Sequence, residues 1–415
     1  MKRIHIISLM VALVLSLWGE PLWSQTTAIK IGWMGPLTGP IAEAGIGVRQ
    51  GSLLAVEEWN AKGGIYIKEL NKKLPVEIIF EDNQAKPEVG VSLGEKFVTR
   101  DKVHFIIGDA MASSVTLAVM ELVPKYGIPM MSIESISDEI AKKVEKNPAR
   151  YWSFWKMFYG TPTYGLASWD TYEFLIEKKL FVPRNKTIAC LAEDTDYGRS
   201  SAKAVKEAFE KVGWNLVANE TVPVGHTDFY PQLTKVKNLD PDILITIFVS
   251  LASGVTAVKQ FHEVGLSASH LAIAYPLRPE FIPHAGKASE YLLWLPLQLD
   301  PDNIPAQKEL SEKVKKRWNI SLNLDNCDGY DGLNNVLDSI ERAASLAPKD
   351  IVKALSKLDR KGVVGRYVFE QHNHQGKYGA NYLPCPTAQI LRGKNPVIYP
   401  RERASAQYVK PPWLK

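Results

Sequence analysis

Between residues 29 and 275, short apolar runs alternate with longer stretches whose apolar residues recur at helical spacing, and this alternation restricts the fold more than any other feature of the chain. The first unit is the clearest. In residues 29–34 (IKIGWM), Ile29, Ile31 and Trp33 alternate with Lys30, Gly32 and Met34, the two-residue period of a strand. The loop GPLTGP follows at 35–40. From Val48 onward Ser52, Ala55, Val56 and Trp59 share one helical face, with Arg49, Gln50, Glu57 and Glu58 largely off it. Gly63 and Gly64 end the helix, because glycine accepts the left-handed conformation of a C-terminal cap. Strand, loop and helix in this order form the first half of a βαβ unit, in which ligands collect where strand C-termini meet helix N-termini.

The series then repeats. Residues 75–81 alternate as a strand, 87–100 read as a helix with Val89, Leu93 and Phe97 on one face, and 103–108, 113–126 and 128–132 read as strand, helix and strand. After an aromatic-dense segment at 151–174, strands at 187–192, 214–222, 243–249 and 271–275 are separated by helices at 199–212, 229–239 and 254–264. Parallel, doubly wound sheets fit this pattern. At 415 residues and 46% hydrophobic content the chain is large enough for two lobes, each with its own core. Helices at 305–318 and 329–346, then strands from 365, complete the order.

Several function classes are disfavoured. A net charge of +5 over this length is mild, and without a Lys/Arg block no nucleic-acid partner is expected. HExxH, GxSxG, P-loop and CxxC patterns are missing, so neither catalysis nor a bound metal or cofactor is expected. Gly45, Gly47 and Gly51 fall one residue out of step for GxGxxG and lie beyond the turn. His372 and His374, flanking Asn373, read as a polar hairpin turn rather than a metal pair. Cys190 sits in a strand as a small hydrophobe, and whether Cys327 and Cys385 pair stays open. Residues 1–24 have the parts of a secretory signal peptide: Lys2 and Arg3, an apolar run at 6–18, then Glu20, Pro21 and Ser24. That run is shorter than the roughly 20 residues of a membrane span. Export to the periplasm is the expectation.

GPLTGPIAEAG at 35–45, the helix after it, NAKGGI at 60–65 and FIIGDAMASS at 105–114 resemble the extracytoplasmic solute-binding proteins of branched-chain amino acid type ABC transporters. The resemblance runs from about residue 29 to the late 370s. It implies an α/β fold of two doubly wound, Rossmann-like lobes joined by three crossover strands, the type I periplasmic binding protein fold. With crossovers near 150, 295 and 358, the first lobe takes 25–150 plus 296–358 and the second 151–295 plus 359–415. Such a receptor is a monomer that bends shut on a small molecule and presents it to the permease subunits of a membrane importer. An exported sensory module of the same fold is the alternative.

The resemblance also implies a site. In the family, serines after the strand matching 103–108 hold the ligand carboxylate, which fits Ser113 and Ser114 at a helix start, where free N–H groups and the helix dipole favour an anion. Ser135, in the loop 132–137, is the matching helper. Tyr197 in DTDYG is placed to close from the second lobe, ring and hydroxyl together. Trp155 and Tyr159, with Trp152 and Tyr164, are candidates for an apolar wall, and Lys156 and Arg278 for charge partners of an acid. One departure stands out. Amino-acid binders of the family tend to carry an acid after the strand matching 271–275, and here Tyr275 stands near that place with Arg278 following. An α-amino group would then enter unpaired, at a cost of several kcal/mol. Ala44, where the family often has an aromatic, leaves space in the first lobe. The expected ligand is an aromatic or branched carboxylic acid, or an amino-acid-like molecule.

Overall fold

Strand β1 (Ile29–Gly35) lies at the heart of a five-stranded sheet that is parallel throughout. The computed structural model describes residues 26–296 and 298–414, so the segment read as a signal peptide lies outside the described residues. Beside β1 are β2 (Val76–Asp82) on one side and β3 (Phe105–Ile107), β4 (Met130–Ser132) and β5 (Phe154–Lys156) on the other, in the order β2-β1-β3-β4-β5. The connecting helices include α1 (Ala42–Ala61), α2 (Pro87–Lys96), α3 (Ser113–Val119) and α4 (Asp138–Lys146). Almost every residue of β1 is buried, as expected of a parallel strand covered on both faces.

The second sheet has seven strands. β6 (Thr187–Glu193), β7 (Asn215–Val222), β8 (Ile243–Phe248), β9 (Ser269–Ala274) and β10 (Leu293–Leu295) are parallel, and β11 (Thr387–Gln389) and β12 (Val397–Tyr399) extend it antiparallel, in the order β12-β11-β10-β9-β8-β6-β7. Helices α5 (Pro162–Glu177), α6 (Asp196–Glu210), α7 (Tyr230–Leu239) and α8 (Leu251–Glu263) cover it. Among the described residues no helix is long and apolar enough to cross a membrane.

After β10 the chain returns to the first sheet through α9 (Pro305–Trp318) and α10 (Leu324–Ala343). Helix α10 presses backbone to backbone on α1. A Cβ at Gly51 would lie 1.9 Å from the Asn326 carbonyl oxygen, and one at Gly329 would lie 2.0 Å from that of Val48. Asn326 Nδ2 adds bonds to Gly47 O and Gln50 Oε1, both 3.0 Å.

Two crossovers differ in place from the sequence expectation. β5 belongs to the five-stranded sheet, so the first crossing comes after residue 156 rather than near 150. The last comes later than 358. Buried Asp331 of α10 accepts from Val363 N–H (2.8 Å), Val364 N–H (3.1 Å) and the Tyr367 hydroxyl (3.0 Å), which keeps the returning chain beside the first half. Gly376 N–H still bonds Lys156 O of β5 at 3.0 Å, and the second sheet is rejoined only at β11. The three cysteines are free and buried.

Candidate ligand-binding site

Between the two sheets, at the C-terminal ends of their strands, lies a cavity of about 260 Å³. That is slightly below the roughly 300–1,000 Å³ of drug-sized ligand pockets, which suits a small molecule. Both halves wall it. From the first come Pro40 and Ile41 of the opening loop, the segment Met111–Ser114, and Glu134 and Ile136; from the second come Glu193, Tyr197, Val249 and Arg278.

Local bonding explains how the first-half residues get there. Asp109 is fully buried after β3 and accepts from the N–H groups of Met111 and Ala112 and from the Asn83 amide. Burial lifts its pKa to about 6, against the pull of those donors. The turn so formed delivers Ser113 and Ser114 to the cavity at the start of α3. Ser113 Oγ accepts from Ser137 N–H at 3.1 Å, tying this turn to the loop after β4. Ser135 of that loop is fully buried, its hydroxyl paired with Thr116 Oγ1 at 2.7 Å, and it does not line the cavity. Its neighbour Glu134 does.

From the second half, Glu193 ends β6 and accepts from Val249 N–H (2.7 Å) and Ser250 N–H (3.2 Å). Thr195 caps α6 by accepting from Gly198 N–H at 2.9 Å, so Tyr197 lies in the first turn with its ring over the cavity. Tyr164 meets Tyr197 edge-on at 6.4 Å between centroids, and Tyr159 meets Tyr164 likewise at 6.1 Å. With Phe158 these rings form the apolar wall. Arg278 is the one cation in the lining of the described residues; its Nη1 donates to Val249 O at 3.0 Å and its Nε stands 3.7 Å from Asp325 Oδ2 of α10.

Of the sequence candidates, Ser113, Ser114, Tyr159, Tyr197 and Arg278 come together around the cavity, and Ser135, Trp155 and Tyr275 do not. Tyr275 departs because Ala274 has φ 76° and ψ −57°, the positive-φ form of a γ-turn at the end of β9 that places the ring under α8. There it packs against Gly254, where a Cβ would come within 2.3 Å of the ring, and its hydroxyl pairs with Thr246 Oγ1 at 2.7 Å. Trp155 points from β5 into the return segment, stacked on His374 at 4.2 Å. His374 is held by that stack and by Phe154 O at 3.0 Å, and no metal-like cluster occurs among the described residues. Lys156 is fully buried with its Nζ on Tyr159 O, away from the cavity lining.

The sequence reading missed Glu134, Glu193, Gln298 and Asp328, all in the lining. Glu193 and Glu134 stand at strand C-terminal ends, a position that was itself a usable signal. Asp328 carried none, since the face of α10 that meets the cavity is set by its docking on α1. The Glu134 carboxyl is within hydrogen-bond reach of both Asp325 and Asp328. Burial, then the neighbouring carboxylates, hold Glu134 well above the ordinary range; burial does the same for Asp328. Burial raises Asp325 only to about 6, because Arg278 opposes it. Acids thus line the cavity, and they come from other elements than the β9 loop.

Comparison with known proteins agrees with this architecture. A family model described as periplasmic binding protein matches residues 28–382. The leucine-, isoleucine-, valine-, threonine-, and alanine-binding protein of Pseudomonas aeruginosa is 27% identical over 330 residues, covering 79% of this chain and 82% of that protein. Among solved structures, the branched-chain amino acid transporter substrate binding protein of Streptococcus pneumoniae in complex with isoleucine superposes with a TM-score of 0.73 at 21% identity, over 92% of this chain and 100% of that one. An ABC transporter solute binding protein from R. palustris in complex with benzoate gives 0.75 at 16% identity, over 93% and 99%. The chain belongs to the periplasmic binding protein family and has its type I fold, two α/β halves around a ligand-sized cleft.

Proposed function

We propose that this protein is an exported receptor that captures a small carboxylate-bearing ligand in the cleft between its halves and delivers it to the permease of an ABC importer. The observation that carries the reading is the cavity itself, walled by strand-end loops from both sheets. A ligand bridging the halves binds the closed arrangement better than the open one, which is what drives closure. Ser113, Ser114 and Arg278 are assigned to the carboxylate, and Phe158, Tyr159, Tyr164 and Tyr197 to the apolar remainder. Relatives named for branched-chain amino acids and for benzoate support an acid of this size.

The test is a thermal-shift screen of the purified protein against aromatic acids, branched acids and amino acids. A ligand at a hundred times its dissociation constant adds about 2.7 kcal/mol to stability. Tyr197→Ala is expected to weaken the best binder about tenfold or more through loss of a buried ring contact. Stabilisation by none of these acids would sink the reading.

A further inference from the structure

Gln298 belongs to the cavity lining and stands on the segment that leaves β10 for α9. Its Nε2 donates to Pro384 O and to the Tyr159 hydroxyl at 3.3 Å, so both amide hydrogens have a partner. The Tyr159 hydroxyl in turn donates to Pro384 O at 3.4 Å and accepts from the amide. Turning the amide over would set Oε1 against the Pro384 carbonyl, acceptor on acceptor, and this fixes its orientation. Oε1 is left buried with no donor among the described residues, on a side chain only 6% exposed. The backbone is held as well, because Gln307 Nε2 donates to Gln298 O at 2.7 Å and to Val363 O at 2.9 Å.

The place of this acceptor follows from the ring contacts. Tyr197, Tyr164 and Tyr159 meet edge-on in succession, and Gln298 adjoins the last of them, so its amide closes the end of the aromatic wall away from Tyr197. The titratable groups that bear most on the Tyr159 hydroxyl are Cys385, Tyr164 and Tyr378, all uncharged near neutral pH. A cation brought to this end would be desolvated without a counter-charge, whereas a hydroxyl or a ring N–H brings a donor and no charge.

We propose that Gln298 is a specificity-determining residue whose Oε1 accepts a hydrogen bond from an uncharged donor on the apolar part of the ligand, so that the receptor takes a hydroxylated aromatic acid in preference to the plain one. This rests on the receptor reading above and narrows its ligand class. A plain ring would leave the acceptor buried and unpaired. Sites built to bond a hydroxyl reject analogues lacking it for that reason.

The experiment compares parents with hydroxylated partners by calorimetry, on the wild-type protein and on Gln298→Met. The sets are benzoate with its 3- and 4-hydroxy forms, 3-phenylpropanoate with its 3- and 4-hydroxyphenyl forms, and phenylalanine with tyrosine; leucine and isocaproate complete the panel. We expect at least one hydroxylated member to bind at least about tenfold more tightly than its parent, and Gln298→Met to erase most of that ratio. A residue that only holds the wall in shape would weaken parent and partner alike and leave the ratio untouched. Melting without ligand checks that the variant is folded, and the wild-type ratio decides by itself where it is not. Parents that bind as tightly as their partners, a ratio unchanged in Gln298→Met, or binding of leucine or isocaproate alone would overturn the role of Gln298 and leave the receptor reading intact. Silence across the whole panel removes both.

Discussion

Lys156 shows what a single buried charge does to this protein. It is fully buried in β5, and desolvation lowers its pKa to about 7 from 10.5. The folded value is below the unfolded one, so between about pH 7 and 10.5 the unfolded chain binds more protons and stability rises with pH. Below about pH 7 the cost of the buried ammonium is present in full. Lys156→Met should therefore gain roughly 1 kcal/mol or more over wild type at pH 6 and progressively lose that advantage toward pH 10, read by urea melts across the range. An unchanged difference at the two ends would mean that the lysine is charged and paired in the folded state. Asp331 is the opposite kind of residue. Its buried carboxylate collects Val363 N–H, Val364 N–H, the Tyr367 hydroxyl and Arg360, so Asp331→Ala should cost about 3–5 kcal/mol by stranding all of them.

At the scale of elements, the contact between α1 and α10 positions the acidic wall. Gly51 and Gly329 allow the two backbones to touch, and Ser52 Oγ on Gly329 O (3.3 Å) and Trp59 Nε1 on Asn334 Oδ1 (2.9 Å) lock the register. Gly329→Val should destabilise by about 3 kcal/mol or more through overpacking, and should weaken ligand binding as well because Asp328 is the adjacent residue. Calorimetry under conditions where the variant is still folded separates the two effects; full affinity there would show that the helix contact does not set the site. This is also where the sequence stopped being legible. β1, α1 and the α/β alternation could be read from periodicity, since a strand or helix advertises the face it buries. Ser113 and Tyr197 could be read because they follow strands. Asp328 could not, as its direction depends on a partner helix distant in sequence, and Tyr275 misled because one alanine with positive φ turned it. The strands β11 and β12 are short antiparallel additions with no periodic signal long enough to read.

For the molecule as a whole, the halves are held across the cleft by few polar contacts. Arg278 reaches Asp325 at 3.7 Å, both almost fully buried, and Asp138 N–H meets Ser200 Oγ at 3.1 Å. Arg278→Met would leave Asp325 buried without its cation. Its expected effect is a more open molecule, with a larger radius of gyration by X-ray scattering and a ligand affinity lower by tenfold or more, both partly restored by adding Asp325→Asn. A compact single variant would show that the arginine serves the ligand and not the closed arrangement.

The welding of α10 onto α1 has a consequence for how the chain is made. The first half is finished by a helix that starts at Leu324, after the whole parallel part of the second sheet has been synthesised. An emerging chain thus has no complete first half to fold, and the face of α1 that packs on α10 lacks that partner until late in translation. Delayed completion of this kind keeps a polypeptide threadable, the state that the export proposed above would require.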